Sequence, residues 1–134
     1  MTQIIIPKIC REYISVILRG DSSGRLMKFD PVTYKVTVLL DGLMFPNGVA
    51  LSKNGDFLLV AETTNCRILK YWLEASRAGK VEPFAELPGF PDNIKRNQKG
   101  EFWVAINSRR EGVFNWILSN PWLRNFLAIL PFDF

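Results

Sequence analysis

The sequence predicts an all-β chain, a partial β-propeller of two to three blades with a short C-terminal helix. Three features predict it: an internal repeat, short strands set apart by turn residues, and a final apolar stretch that breaks the rhythm. The segment KVTVLLDGLMFPNGV from Lys35 realigns on KVEPFAELPGFPDNI from Lys80, an offset of 45 residues. In that register Val36 meets Val81, Phe45-Pro46 meets Phe90-Pro91, Val49 meets Ile94, and Gly55-Asp56-Phe57 meets Gly100-Glu101-Phe102. A second match sets Arg25–Phe29 on Arg67–Tyr71 at offset 42, so one connecting loop varies in length.

Within each unit the strands are read from β-branched and aromatic content. YISVIL, RLMKF, KVTVLL, GVAL, FLLVAE, CRILKYW, KVEPFAE and EFWVAI alternate with the turn runs DSSG, KNGD, TTN and NQKG. Four short strands per repeat of this length is the blade signature of a propeller. GVAL and FLLVA are nearly all apolar, as strands covered on both faces are. A segment of a ring leaves blade faces without partners, so apolar positions of YISVIL and EFWVAI are expected to be uncovered.

Composition narrows function by exclusion. The chain of 134 residues has no histidine, which removes Ser-His-Asp and Cys-His nucleophile systems and His-ligated zinc. Its net charge of +4 comes from basic residues scattered along the chain, with pairs such as Lys95-Arg96 and Arg109-Arg110 as the densest groups, so no nucleic-acid partner is expected. Cys10 and Cys66 form no CxxC pair and leave both one disulfide and two thiols open. The start MTQIIIPKICREY has only three consecutive isoleucines before Pro7, too short for the apolar core of a secretory signal. The expectation is either a cytosolic chain or one whose true amino terminus lies upstream.

Blades are expected over residues 12–112 and an apolar tail over 113–134. Asn115, Asn120, Pro121, Arg124 and Asn125 interrupt the tail, which argues against a membrane span of about 20 apolar residues. Asn120 is placed to cap a helix with Pro121 in its first turn. Trp122, Leu123, Phe126, Leu127 and Leu130 then share one face, and Pro131 ends the helix. That face is expected to pack on the propeller, with contact to a membrane surface or a partner as the alternative.

The runs GDSSGRLMKFDP, FPNGVALSKNGDFLLVAETTNCRILKYWLE, FAELPGFPDNIKRNQKGEFWVAI and LSNPW resemble the plant strictosidine synthase-like proteins and the related adipocyte plasma membrane-associated proteins. The resemblance implies a six-bladed propeller carried through the secretory route to endoplasmic reticulum, vacuole, membrane or cell exterior. In the authentic synthase it implies condensation of tryptamine with secologanin, with a glutamate near the end of the propeller as general acid/base. That segment is expected beyond Phe134, so no catalytic residue is assigned here. Glu62, Glu86 and Glu101 belong to earlier repeats, and Glu62 and Glu101 are read as ordinary strand-end or surface carboxylates.

The wider superfamily of paraoxonase-like and gluconolactonase-like hydrolases is similar in fold and implies a divalent cation, calcium in many members, at the mouth of the central channel. On that resemblance Asn47 of FPNG corresponds to an asparagine ligand, and Asp92 and Asn93 of FPDN to an aspartate and an asparagine on the metal. Hard oxygen ligands suit calcium, but its shell of 6–8 oxygens exceeds three side chains. The alternative is that Asn47 and Asp92 satisfy turn backbone groups after Pro46 and Pro91. Three functions therefore stand: a strictosidine synthase-like segment acting on a small-molecule substrate in the complete ring, a metal-dependent lactonase or arylesterase, and a non-catalytic interaction protein.

Overall fold

The computed structural model describes residues 3–5 and 13–129. Among these residues, nine strands form three antiparallel sheets. The first sheet joins β1 (Gln3–Ile5), β2 (Gly24–Asp30) and β3 (Lys35–Leu43). The second is a four-stranded meander of β4 (Pro46–Leu51), β5 (Phe57–Glu62), β6 (Arg67–Trp72) and β7 (Val81–Glu86). The third pairs β8 (Gly89–Arg96) with β9 (Phe102–Arg109). One four-strand blade thus sits between parts of two others, as a partial β-propeller requires.

The apolar run FLLVA explains why the blades stack. Alternate side chains of a strand point to opposite faces. Leu58 and Val60 of β5 join Leu26, Leu43, Leu69 and Tyr71 in a core shared with the first sheet. Leu59 and Ala61 join Ala50, Ile68 and Ile94 in a core shared with the third. Fully burying a leucine contributes on the order of 2 kcal/mol, so β5 anchors both blade interfaces. Trp103 on β9 is 70% exposed and Ile106 is also exposed, as expected for EFWVAI on a blade face without a neighbour.

The 45-residue repeat holds down to single hydrogen bonds. In the β4–β5 turn the Asp56 N–H donates to Ser52 Oγ, and in the β8–β9 turn the Glu101 N–H donates to Asn97 Oδ1. The Gly55 N–H donates to the Ser52 carbonyl and the Gly100 N–H to the Asn97 carbonyl, both at 3.2 Å.

Three expectations are corrected outside the sheets. YISVIL is a helix, α1 (Tyr13–Arg19), with Ile17 and Leu18 buried rather than uncovered. Its end explains why: Gly20, at φ +63°, donates to the Ile17 carbonyl, and the Asp21 N–H donates to the Val16 carbonyl. This is the glycine-terminated helix stop, which local β propensity does not reveal. The tail holds two helices rather than one, α2 (Gly112–Ser119) and α3 (Pro121–Ile129). Asn120 starts α3 as expected, its carbonyl accepting from the Arg124 N–H at 3.0 Å with Pro121 as the first helical residue, while its side chain closes α2, Nδ2 donating to the Trp116 carbonyl at 2.7 Å. Trp122 is 69% exposed and Phe126 is exposed, while Leu123 and Leu127 are half-buried, so the expected packing face is only partly covered. Leu130 and Pro131 lie outside the described residues, as does Cys10; Cys66 is a free, buried thiol.

Candidate functional site at the start of the inner strands

Asn47 and Asp92 are the extra residues of two β-bulges. On β4, Pro46 pairs with Glu62 and Gly48 with Ala61, so the ladder passes over Asn47. On β8, Pro91 pairs with Ile106 and Asn93 with Ala105, so it passes over Asp92. A bulge re-aims a side chain that regular alternation would send elsewhere, and proline is tolerated there because its missing N–H costs the ladder little. The repeated Phe-Pro thus builds the same device twice, and β4 packs along β8 so that the two devices meet.

Asn47 Nδ2 donates to Asp92 Oδ1 at 2.8 Å, joining two blades. The Asn47 Oδ1 is buried and has no hydrogen-bond partner. An orphaned buried acceptor costs about 1–3 kcal/mol, which a water or cation supplied from outside would offset. Turn capping describes Asn93 instead, whose Oδ1 accepts from the Ile94 N–H at 2.8 Å.

Immediately beside the pair lies the polar run that closes β5. Glu62 is 1% exposed, not a surface carboxylate. It accepts from the Met44 N–H at 2.8 Å and from Arg67 Nε. The hydroxyl of buried Thr63 donates to the Pro91 carbonyl at 2.6 Å. The sequence reading placed Thr63, Thr64 and Asn65 in a turn and missed what Glu62 and Thr63 hold. The available signal was a carboxylate and a hydroxyl directly following a wholly apolar strand. Glu101, by contrast, is an exposed carboxylate held by Asn97 Nδ2 at 2.6 Å, and Glu86 is exposed on β7.

The same end of the blades carries an apolar cap. Ile17 of α1, Cys66 and Phe90 form a small core against which Phe45 and Leu118 of α2 pack. Burial pushes the Cys66 thiol up from its ordinary value, with Arg110 opposing in part. Phe45 and Cys66 adopt φ +56° and +50°, a left-handed backbone uncommon outside glycine, so the connections before β4 and before β6 are conformationally demanding.

The oxygen chemistry around Asn47 and Asp92 fits a hard cation: one carboxylate, one orphaned amide carbonyl and a second amide within one residue. Among the described residues no cluster of three or more His, Cys, Asp or Glu side chains gathers, so amide and water oxygens would have to fill most of the shell.

Comparison with known proteins agrees with this architecture. The luciferin-regenerating enzyme superposes with a TM-score of 0.57 at 23% identity, covering 65% of this chain and 30% of that one. A calcium-binding protein, regucalcin, from Agrobacterium tumefaciens superposes with a TM-score of 0.54 at 23% identity, covering 66% and 32%. Both likenesses show the fold. In sequence, strictosidine synthase-like protein 13 of Arabidopsis thaliana is 50% identical over 116 residues, covering 87% of this chain and 29% of the relative. The human adipocyte plasma membrane-associated protein is 39% identical over 122 residues, covering 87% and 29%. The chain therefore spans under a third of the length of these relatives. The family model for strictosidine synthase matches residues 8–76. With the repeat, the bulged Phe-Pro loops and the blade stacking all in agreement, the chain belongs to the strictosidine synthase family.

Proposed function

We propose that this chain is a segment of a strictosidine synthase-like propeller whose Asn47 and Asp92 contribute oxygen ligands to a calcium ion at the channel mouth, where the complete ring takes a small-molecule substrate. The observation that carries this reading is the buried, unpartnered Oδ1 of Asn47 beside the Asp92 carboxylate. Calcium, when bound, supplies Lewis-acid polarisation of a substrate oxygen. Asp92 contributes the negative charge that favours the ion, and Asn47 a neutral oxygen held in place by its bulge. Asn93 keeps one lone pair free after accepting from Ile94, which makes it the third oxygen at the rim. None of Glu62, Glu86 and Glu101 takes the family's acid/base role: Glu62 is tied to Met44 and Arg67, Glu101 to Asn97, and Glu86 lies on the outer strand of its blade.

Carriage along the secretory route belongs to the same reading, supported by a human relative named for the plasma membrane. Exposed Trp116, Trp122 and Phe126 favour contact of α2 and α3 with a membrane surface or a partner as the second reading. No described helix is long and apolar enough to cross a membrane.

Calorimetric titration of calcium into the full chain tests the proposal. Weak binding heat is expected in the wild type, because three side chains fill only part of a calcium shell, and it is expected to vanish in Asn47→Ala and Asp92→Ala. Heat that persists unchanged in both variants would move the site elsewhere, and its absence from the folded wild type would refute the calcium reading.

A further inference from the structure

We infer that Glu62 and Thr63, at the end of β5, form a positioning clamp that sets the separation of Asn47 and Asp92 across two blades. The inference rests on the mouth reading above and adds residues that touch neither the ion nor the substrate.

The geometry is specific to the two bulges. Towards Asn47, Glu62 Oε1 accepts from the Met44 N–H at 2.8 Å, the Thr63 N–H donates to the Phe45 carbonyl at 3.0 Å, and the Thr64 N–H donates to the Met44 carbonyl at 3.3 Å. These bonds fix the two residues before Pro46-Asn47, including Phe45 in its left-handed conformation. Towards Asp92, the Thr63 hydroxyl donates at 2.6 Å to the carbonyl of Pro91, the residue immediately before it. Both Thr63 and Pro91 are buried, so water does not compete for that bond. A single dipeptide thus grips the lead-in to each bulge, with Arg67 holding the Glu62 carboxylate from the other side.

Regular sheet pairing does not replace this grip, because the ladder shifts register at the very residues concerned. Groups one step removed from a metal's ligands typically alter its affinity by about 10–100-fold when lost.

The test compares Thr63→Val, which keeps the shape and removes the hydroxyl, with Thr63→Ser, which restores it. Two readouts are taken on the full chain. The first needs no metal: exchange of the Asn47 side-chain amide protons with solvent, followed by nuclear magnetic resonance. Exchange is expected to speed up about tenfold in Thr63→Val and to return to the wild-type rate in Thr63→Ser. The second is calcium affinity, expected to fall at least tenfold in Thr63→Val and to recover in Thr63→Ser. If Thr63→Val does not fold, Thr63→Ala takes its place, since the smaller side chain leaves room around the carbonyl. Unchanged amide exchange in the folded variant overturns the clamp whatever calcium does. Faster exchange together with an absence of calcium binding in the wild type supports the clamp and overturns the calcium reading alone.

Discussion

The side-chain amide of Asn47 donates to the carboxylate of Asp92 at 2.8 Å, so two residues 45 apart in sequence are direct partners between blades. The repeat period is the cause: equivalent residues of successive blades recur at one level of the fold, and where inner strands adjoin they touch. Asn47→Asp replaces the donor with a second carboxylate. Without cation the two like charges repel, and the melting temperature is expected to fall by several degrees. Added calcium neutralises the pair, so the rise in melting temperature on adding calcium is expected to exceed that of the wild type. Equal rises in variant and wild type would count against the ion at this position.

Glu62 offers a test of the fold's tolerance for a buried charge. Removing its carboxylate leaves the Met44 N–H without its acceptor and Arg67 without its counter-ion. Breaking a fully buried pair costs about 3–5 kcal/mol, but the Arg67 side chain is one-third exposed and water screens part of the loss. Glu62→Ala is therefore expected to destabilise by about 2–3 kcal/mol in urea unfolding, and Arg67→Ala by less than half of that. The reverse ranking would mean that the guanidinium, not the carboxylate, carries the contact.

How much of this was legible in the sequence follows from where each signal resides. The blade register was legible because FPNG and FPDN carry their own punctuation, a proline before each bulge, and the repeat placed Asn47 opposite Asp92. Helix α1 was not, because Ile14, Val16 and Ile17 favour strands locally and the deciding feature is Gly20 just beyond them. The buried state of Glu62 was equally hidden. A strand-end carboxylate is ordinarily solvated, and what keeps this one inside is the Met44 N–H, 18 residues earlier in the chain.

Acid should weaken the fold through its hydrogen-bonded carboxylates. Asp56 lies below the ordinary aspartate value of 3.8, chiefly because the Ser52 hydroxyl donates to its carboxylate. Hydrogen bonds from Ser23, Val32 and Gly42 likewise lower Asp21, Asp30 and Asp41, and Trp72 Nε1 lowers Glu82 from 4.5. Each folded value lies below the unfolded one, so the stability these groups contribute is full above about pH 4.5 and is lost as pH falls through the folded values. The melting temperature is expected to be flat from that pH up to the ordinary cysteine value of 9.0, above which the buried Cys66 thiol opposes folding, and to drop below about pH 4.5. Ser52→Ala is expected to return the Asp56 titration, read by nuclear magnetic resonance, towards 3.8. An unmoved Asp56 would assign the depression to another group.

Gly48 and Asn93 occupy the same repeat position in successive blades, yet one has no side chain and the other a polar one. The difference is forced by their contact. A Cβ at Gly48 would lie 2.9 Å from the Ile94 nitrogen and 3.0 Å from Asn93 Oδ1, closer than a side chain tolerates. The nearer atom is backbone of β8, so the clash cannot be relieved by a rotamer change and the two inner strands must part. Overpacking of this kind costs about 1–3 kcal/mol. Because Gly48 follows Asn47 directly, parting the strands also stretches the bond from Asn47 Nδ2 to Asp92. Gly48→Ala is therefore expected to lower the melting temperature and to weaken calcium binding together. Asn93→Gly, which removes one contact but leaves the Ile94 nitrogen in place and takes away the third proposed oxygen, is expected to restore little stability and no calcium binding in the double variant. If Gly48→Ala lowered stability but left calcium affinity intact, the mouth would not depend on close approach of the inner strands, and Asn47 and Asp92 would bind independently.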